Sequence, residues 1–247
     1  MFFVMNIGAV STIVITLLAY FVGQKNLLYQ LLHAEQAKSE GLLLNILPKD
    51  IATRLKRGEE LIADSYGSVS IMFVDLVDFT PLSATCDPKD MVVLLSQIFS
   101  YFDQLVEKYG VSKIETVGDS YVIAAGLPIP CDNHAALITH LALDIRHYFA
   151  KGVFLEGQPV HCRIGIHSGP IMAGVIERKK ISYNVWGDTV NTASRMQSHG
   201  IPGQIQVSKF TYELIQEDFV CEPRGTISVK GKGDMEVWLV ASAKKDS

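Results

Sequence analysis

Hydrophobic residues fall along this chain in three rhythms. Residues 2–22, FFVMNIGAVSTIVITLLAYFV, carry no charge and are apolar on every side, the length and texture of a bilayer-crossing helix. A signal peptide would place positive charge before its apolar run, and this run is apolar from its start. A transmembrane helix over residues 1–23 is therefore expected, and so abrupt an entry suggests a piece of a longer membrane protein. Residues 24–64 set leucine clusters among charges at helical spacing, Leu28, Leu32, Leu43, Ile46 and Leu47 among them. Gly41 and Pro48 predict a bend between two helical pieces. The leucine stripe suits either packing on its own domain or a parallel dimer seam, so this is read as a helical dimerisation and transducer segment.

From residue 67 the rhythm shortens. SVSIMFVDLVDF reads as a buried strand, and DPKDMVVLLSQIFSYFDQLVEKYG as a helix capped by Asp87, with Pro88 in its first turn and Gly110 at its stop. SKIETV and SYVIAAG, joined at Gly-Asp, predict a hairpin, followed by the helix NHAALITHLALDIRHYFA. Strands VHCRIGIHSG and IMAGVIE, the helix DTVNTASRMQSHG, the strand QIQVS, the helix KFTYELIQ and a hairpin turning at KGKG complete the order. That order predicts an α+β sandwich over residues 65–247, with helices on one face of a mainly antiparallel sheet.

Composition narrows the function. A chain of 247 residues with 48% hydrophobic content holds one sizeable domain and an appendage. Its net charge of -4, with scattered Lys and Arg, leaves no basic stripe for nucleic acid, so small molecules or a second copy are the expected partners. Cys86, Cys131, Cys162 and Cys221 lie apart without metal-ligand spacing and read as reduced thiols of a cytosolic domain.

Several residues suggest chemistry. Asp75 ends the apolar strand IMFVD, and Asp119 sits at the hairpin VGDSY. Each alone could cap or fill a turn; together they make an oxygen-ligand site suited to Mg²⁺ or Mn²⁺ and, through it, to a polyphosphate. Asn191 and Arg195, four apart, share one helix face and offer an amide and a planar cation, suited to a ribose and to charge developing at phosphorus. A solvated surface face is the plainer alternative. Lys230 lies at a glycine-rich hairpin tip where backbone can approach a phosphate.

The strings FVDLVDFT, KIETVGDSY, RIGIHSG, YNVWGDTVNTASRM and VKGKGD, in this order, resemble the class III adenylate and guanylate cyclase catalytic domain. LLLNILPKDIATRLKRGE resembles the helical segment that precedes it in membrane-bound and receptor cyclases. The resemblance implies a ferredoxin-like core related to the polymerase palm, working as a head-to-tail homodimer with active sites at the interface. It implies that Asp75, Asp119 and the Leu76 carbonyl hold two Mg²⁺ or Mn²⁺ ions, and that Arg163 and Lys230 contact the triphosphate. Phe79 and Thr80 join the substrate-binding set, while Asn191 and Arg195 orient the ribose and stabilise the transition state. The implied reaction is attack of a ribose 3′ oxygen on the α-phosphorus of a purine nucleoside triphosphate, with pyrophosphate leaving.

Two positions of the family read the base, and here they hold Glu115 and Asn184. A carboxylate accepts from guanine N1–H and the 2-amino group, whereas adenine N1 is itself an acceptor, so Glu115 favours GTP. Asn184 can serve either purine, and Ser182 stands where guanylate cyclases often carry an Arg that steadies the Glu, so ATP or dual use stays open. A non-catalytic nucleotide-binding dimerisation module is the other alternative, although none of the matched catalytic positions is lost. A diguanylate cyclase would need a G-G-[DE]-[DE]-F loop, which is missing. Four residues of extended strand separate Glu115 from Asp119 by about 13 Å. In the dimer that the chain resembles, they would serve two different active sites.

Overall fold

The computed structural model describes residues 2–44, 46–79, 81, 86–175 and 181–244, with side chains from residue 14 onward. The chain divides between Ala52 and Thr53 into two units. In the first, helix α1 runs Phe2–Leu44 without a break at Gly41, because one glycine costs a helix only about 1 kcal/mol. The bend comes instead before Pro48, which has no N–H to continue the helix and whose carbonyl accepts from Ala52 N at 2.9 Å as α2 (Lys49–Lys56) begins. Among the described residues no helix is long and apolar enough to cross a membrane, so the structure does not support the span expected over 1–23. The side chains of residues 1–13 of that span lie outside the described residues.

The second unit is built on an eight-stranded sheet. Its strands are β1 (Ile62–Leu76), β2 (Ser112–Val117), β3 (Ser120–Ala125), β6 (Cys162–Val175), β7 (Tyr183–Trp186), β8 (Ile205–Ser208), β9 (Phe219–Val229) and β10 (Gly233–Ala243). The spatial order is β2-β3-β1-β6-β8-β10-β9, with β7 added on β6; β6 and β8 run parallel and the other pairs antiparallel. Phe154–Leu155 (β4) and Gln158–Pro159 (β5) form a separate small hairpin that carries no sequence pattern. Helices α3 (Pro88–Tyr109), α4 (His134–Ala150), α5 (Asp188–Ser198) and α6 (Lys209–Ile215) complete the unit. Asp87 caps α3 by accepting from Lys89 N at 2.7 Å, and Gly110 ends it in the left-handed conformation at φ 62°.

Besides β7 and the β4–β5 hairpin, which the pattern did not anticipate, three features differ from the pattern-based expectation. β1 begins at Ile62, ahead of the apolar run, because its first half pairs with Ile171 to Val175 of β6 although polar residues are mixed into it. The two strands expected around Pro170 are one, β6: Pro170 lies opposite the register shift between Tyr66 and Val69, where no ladder bond is required of it. Helices also cover both faces of the sheet. Met72, Val74, Ile164 and Ile166 meet α3 and α4 in the main core, with Ile98, Phe102, Ile138 and Ile145. Alternate residues face the other way, and there a Cβ at Gly165 would stand 2.0 Å from Gln197 N, so α5 lies directly on the bare backbone of β6.

A buried string of hydrogen bonds links two histidines within this unit. His134 Nδ1 meets Ser70 Oγ at 2.8 Å, Ser70 meets Ser168 at 2.6 Å, and Ser168 meets Thr211 at 3.0 Å. Thr211 meets Ser208 at 3.3 Å, and Ser208 meets His167 Nδ1 at 2.6 Å. All four hydroxyl residues and both imidazoles are buried, and each hydroxyl and each Nδ1 of the string has a partner, as burial demands.

Candidate active site

The carboxylates come together through strand register. Asp75, next to last in β1, pairs with Ser120 of β3 on one side and Arg163 of β6 on the other. Asp119 directly precedes Ser120 in the tight turn after β2, and Gly118 supplies the φ of 62° which that turn needs. Burial pushes Asp75 up to about 6, and the facing Asp119 carboxylate adds to this, against the pull of the Arg163 guanidinium and the Gln197 amide. Two half-buried carboxylates that resist sharing negative charge are a place where a divalent cation is favoured. The buried Nε of Arg163 has no protein partner, so this corner also has a donor to spare for an anion. Leu76 ends β1, buried, beside Cys162. Among the described residues no group of three or more His, Cys, Asp or Glu side chains could hold a metal ion. Two carboxylates with a backbone carbonyl fit an ion such as Mg²⁺, which keeps waters and binds substrate phosphates.

A second set of residues meets in a cleft of about 360 Å³ lined by Asp188, Asn191, Ser194, Arg195, Lys230, Gly231 and Lys232. Asn191 and Arg195 stand exposed on α5, while Thr192, Ala193, Met196 and Gln197 turn inward. Lys230 and Gly231 come from the β9–β10 turn, where Gly231 takes φ 81° and Lys232 N donates to Val229 O at 2.9 Å. Lys232 pairs with Asp188 across the cleft mouth. The cleft thus offers two cations, Arg195 and Lys230, and an amide.

Asp75 and Asp119 are not among the residues of that cleft. Gln197, the one residue of α5 bonded to Asp75, lies two positions after Arg195, about 200° around the helix. The carboxylate pair and the Asn191–Arg195 face therefore lie on opposite sides of α5. Within one chain the carboxylate pair and the cleft are thus separate.

Glu115 is exposed on β2, immediately after an irregularity in the β2–β3 register between Lys113 and Glu115. Asn184 lies on β7, which runs close to β2, and its Nδ2 donates to Ser182 Oγ at 2.9 Å. Phe79 packs against the main core, and Thr80 lies outside the described residues. Gln197, Asp188 and Lys232 escaped the reading of the sequence. Gln197 alone left a signal, a polar residue beside Met196 on the inward stripe of an amphipathic helix.

A sequence profile described as the adenylate and guanylate cyclase catalytic domain matches residues 61–242. The chain belongs to the class III adenylate and guanylate cyclase family. An adenylate cyclase of Mycobacterium bovis is 43% identical over 214 residues, 86% of this chain and 48% of that protein. The human guanylate cyclase soluble subunit beta-2 is 40% identical over 209 residues, 83% of this chain and 34% of that protein. The chain thus spans about half the length of the former cyclase and a third of the latter. The guanylate cyclase domain of RhGC from Catenaria anguillulae, solved with GTP, superposes with a TM-score of 0.71 at 37% identity, covering 73% of this chain and 100% of that one. The catalytic core of a rhodopsin-guanylyl cyclase with converted specificity, solved with ATPαS, gives 0.69 at 37% identity, covering 74% and 99%. Cyclases of both specificities are thus similar to this chain to nearly the same degree.

Proposed function

We propose that this chain is the catalytic part of a membrane-tethered homodimeric cyclase that converts a purine nucleoside triphosphate into a 3′,5′-cyclic nucleotide and pyrophosphate. The observation that carries the reading is the split site: a carboxylate pair on one side of α5 and the Asn191, Arg195 and Lys230 cleft on the other. Two copies placed head to tail join each half to its complement. In such a site Arg163 and Lys230 bind the triphosphate, Asn191 orients the ribose, and Arg195 meets the charge that develops at the α-phosphorus. Asp75, Asp119 and the Leu76 carbonyl would hold two Mg²⁺ or Mn²⁺ ions, which when bound acidify the 3′ hydroxyl and neutralise phosphate charge. The 3′ oxygen bonds to the α-phosphorus as the bond to the β-phosphate oxygen breaks, and no protein nucleophile takes part. Phe79 and Thr80 belong to the substrate-binding set on the family resemblance alone.

GTP is the preferred substrate on this reading, because Glu115 accepts from guanine N1–H and the 2-amino group. One observation favours ATP: Asn184 gives an amide hydrogen to Ser182 and keeps its oxygen as an acceptor, which suits the adenine 6-amino group. The reading of membrane tethering rests on the uncharged run of residues 2–22 in the sequence. Four cysteines outside any disulfide suit a catalytic domain on the cytoplasmic side. The purified chain, incubated with Mn²⁺ and either GTP or ATP, should form cyclic product, more from GTP. No product from either sinks the cyclase reading, and a strong preference for ATP reverses the base assignment.

A further inference from the structure

Gln197 is a polar group on the sheet side of α5 that the cleft does not use. It is only 7% exposed, and its Nε2 donates to Asp75 Oδ2 at 3.2 Å. Its backbone rests on β6 at Gly165 with no room for a methyl group. The end of α5 is held from a second side, where Gln206 Nε2 donates to the Met196 carbonyl at 2.9 Å and Arg224 donates to the His199 carbonyl at 2.6 Å. An enclosed side chain on a fixed backbone keeps few rotamers, so its amide restricts how the Asp75 carboxylate can turn.

We propose that Gln197 is a positioning residue for the metal half-site, its amide holding the Asp75 carboxylate in the orientation that takes a divalent cation. An amide suits the task because it donates a hydrogen bond without charge. Lysine there would cancel the negative charge a cation needs, and glutamate would add a third carboxylate. The inference rests on the cyclase reading and its shared sites, and it has a consequence for the dimer. Gln197 acts on the site served by its own Asp75, and not on the one served by Arg195 of the same helix.

Heterodimers of the full chain test this. One chain carries Asp75→Ala and the other Arg195→Ala, which leaves one intact site with its carboxylates from the Arg195→Ala chain. Gln197→Met, which keeps the volume and removes the donor, is placed in either chain. Mn²⁺ binding is read by electron paramagnetic resonance with a non-cyclisable nucleoside triphosphate analogue, alongside the Mn²⁺ needed for half-maximal activity. Binding should weaken roughly tenfold when Gln197→Met lies in the Arg195→Ala chain, in line with losing a hydrogen bond to a charged group. It should keep the parent value when the change lies in the Asp75→Ala chain, with equal melting temperatures. Equal weakening in both arrangements, or none in either, overturns the proposal. If the parent heterodimer makes no product, shared sites are wrong; Mn²⁺ binding by the otherwise unchanged Gln197→Met chain then decides the role of Gln197, with an unaltered affinity refuting it.

Discussion

At the scale of single residues, Glu115 and Asn184 are the proposed base-reading positions. Glu115 stands exposed after a break in strand register, and Asn184 is tied to Ser182, so both can change without disturbing the core. Glu115→Lys with Asn184→Asp should move the ratio of GTP to ATP turnover towards ATP by roughly tenfold or more, since a site built to hydrogen-bond one purine edge leaves polar groups unpaired against the other. An unchanged ratio would show that these positions do not read the base. His167 carries a pH dependence. Burial lowers it from an ordinary 6.5 to about 4, Lys232 pushes the same way, and Asp188 opposes. The unfolded chain takes up this proton more readily than the folded one, so the contribution of His167 to stability is complete above about pH 6.5 and is lost as pH falls towards 4. Between pH 7 and pH 5 the loss is about 2 kcal/mol, and His167→Gln should shrink it in urea unfolding at the two pH values. The acids and Arg195 were legible in sequence because charge is uncommon at the end of an apolar strand and regular on a helix face. Gln197 was not, because its partner lies 122 residues away.

At the scale of elements, α5 organises the catalytic unit. It lies on β6 only because Gly165 has no side chain, and a methyl there would meet Gln197 N at 2.0 Å and Met196 C at 2.4 Å. Backbone cannot swing aside as a side chain does. Gly165→Ala should therefore cost roughly 1–3 kcal/mol in urea unfolding, and it should lower turnover more than a stability loss of that size explains, since it displaces Asn191 and Arg195 together. Normal turnover in a stable variant would count against α5 as the positioning element. Helices α3 to α6 and the β2–β3 and β9–β10 hairpins are readable from local signals: Asp87 and Gly110 at the ends of α3, Gly118 in one turn, Gly231 in the other. The first half of β1 was illegible because IADSYGS has no continuous apolar run and its strand conformation is imposed by pairing with β6. The continuity of β6 through Pro170 depends in the same way on a register shift in its neighbour.

At the scale of the whole molecule, the proposed function divides each active site between two copies of the chain. Asp75→Ala and Arg195→Ala chains should each be inactive alone. Mixed and re-equilibrated, they should recover about a quarter of the parent activity, because half the dimers are mixed and each holds one of two sites intact. No recovery would refute shared sites. The sequence by itself determined the family and most of the order of elements, and it singled out Asp75, Asp119, Glu115, Asn191, Arg195 and Lys230 as candidates, because short ordered strings and local periodicity carry that information. Only the tertiary structure decided which of these groups meet. Strand register brought Asp75 beside Arg163 and the turn holding Asp119, while a bare glycine on β6 let α5 settle on the second face of the sheet. Contacts between residues distant along the chain obey packing, which no local window of the sequence contains.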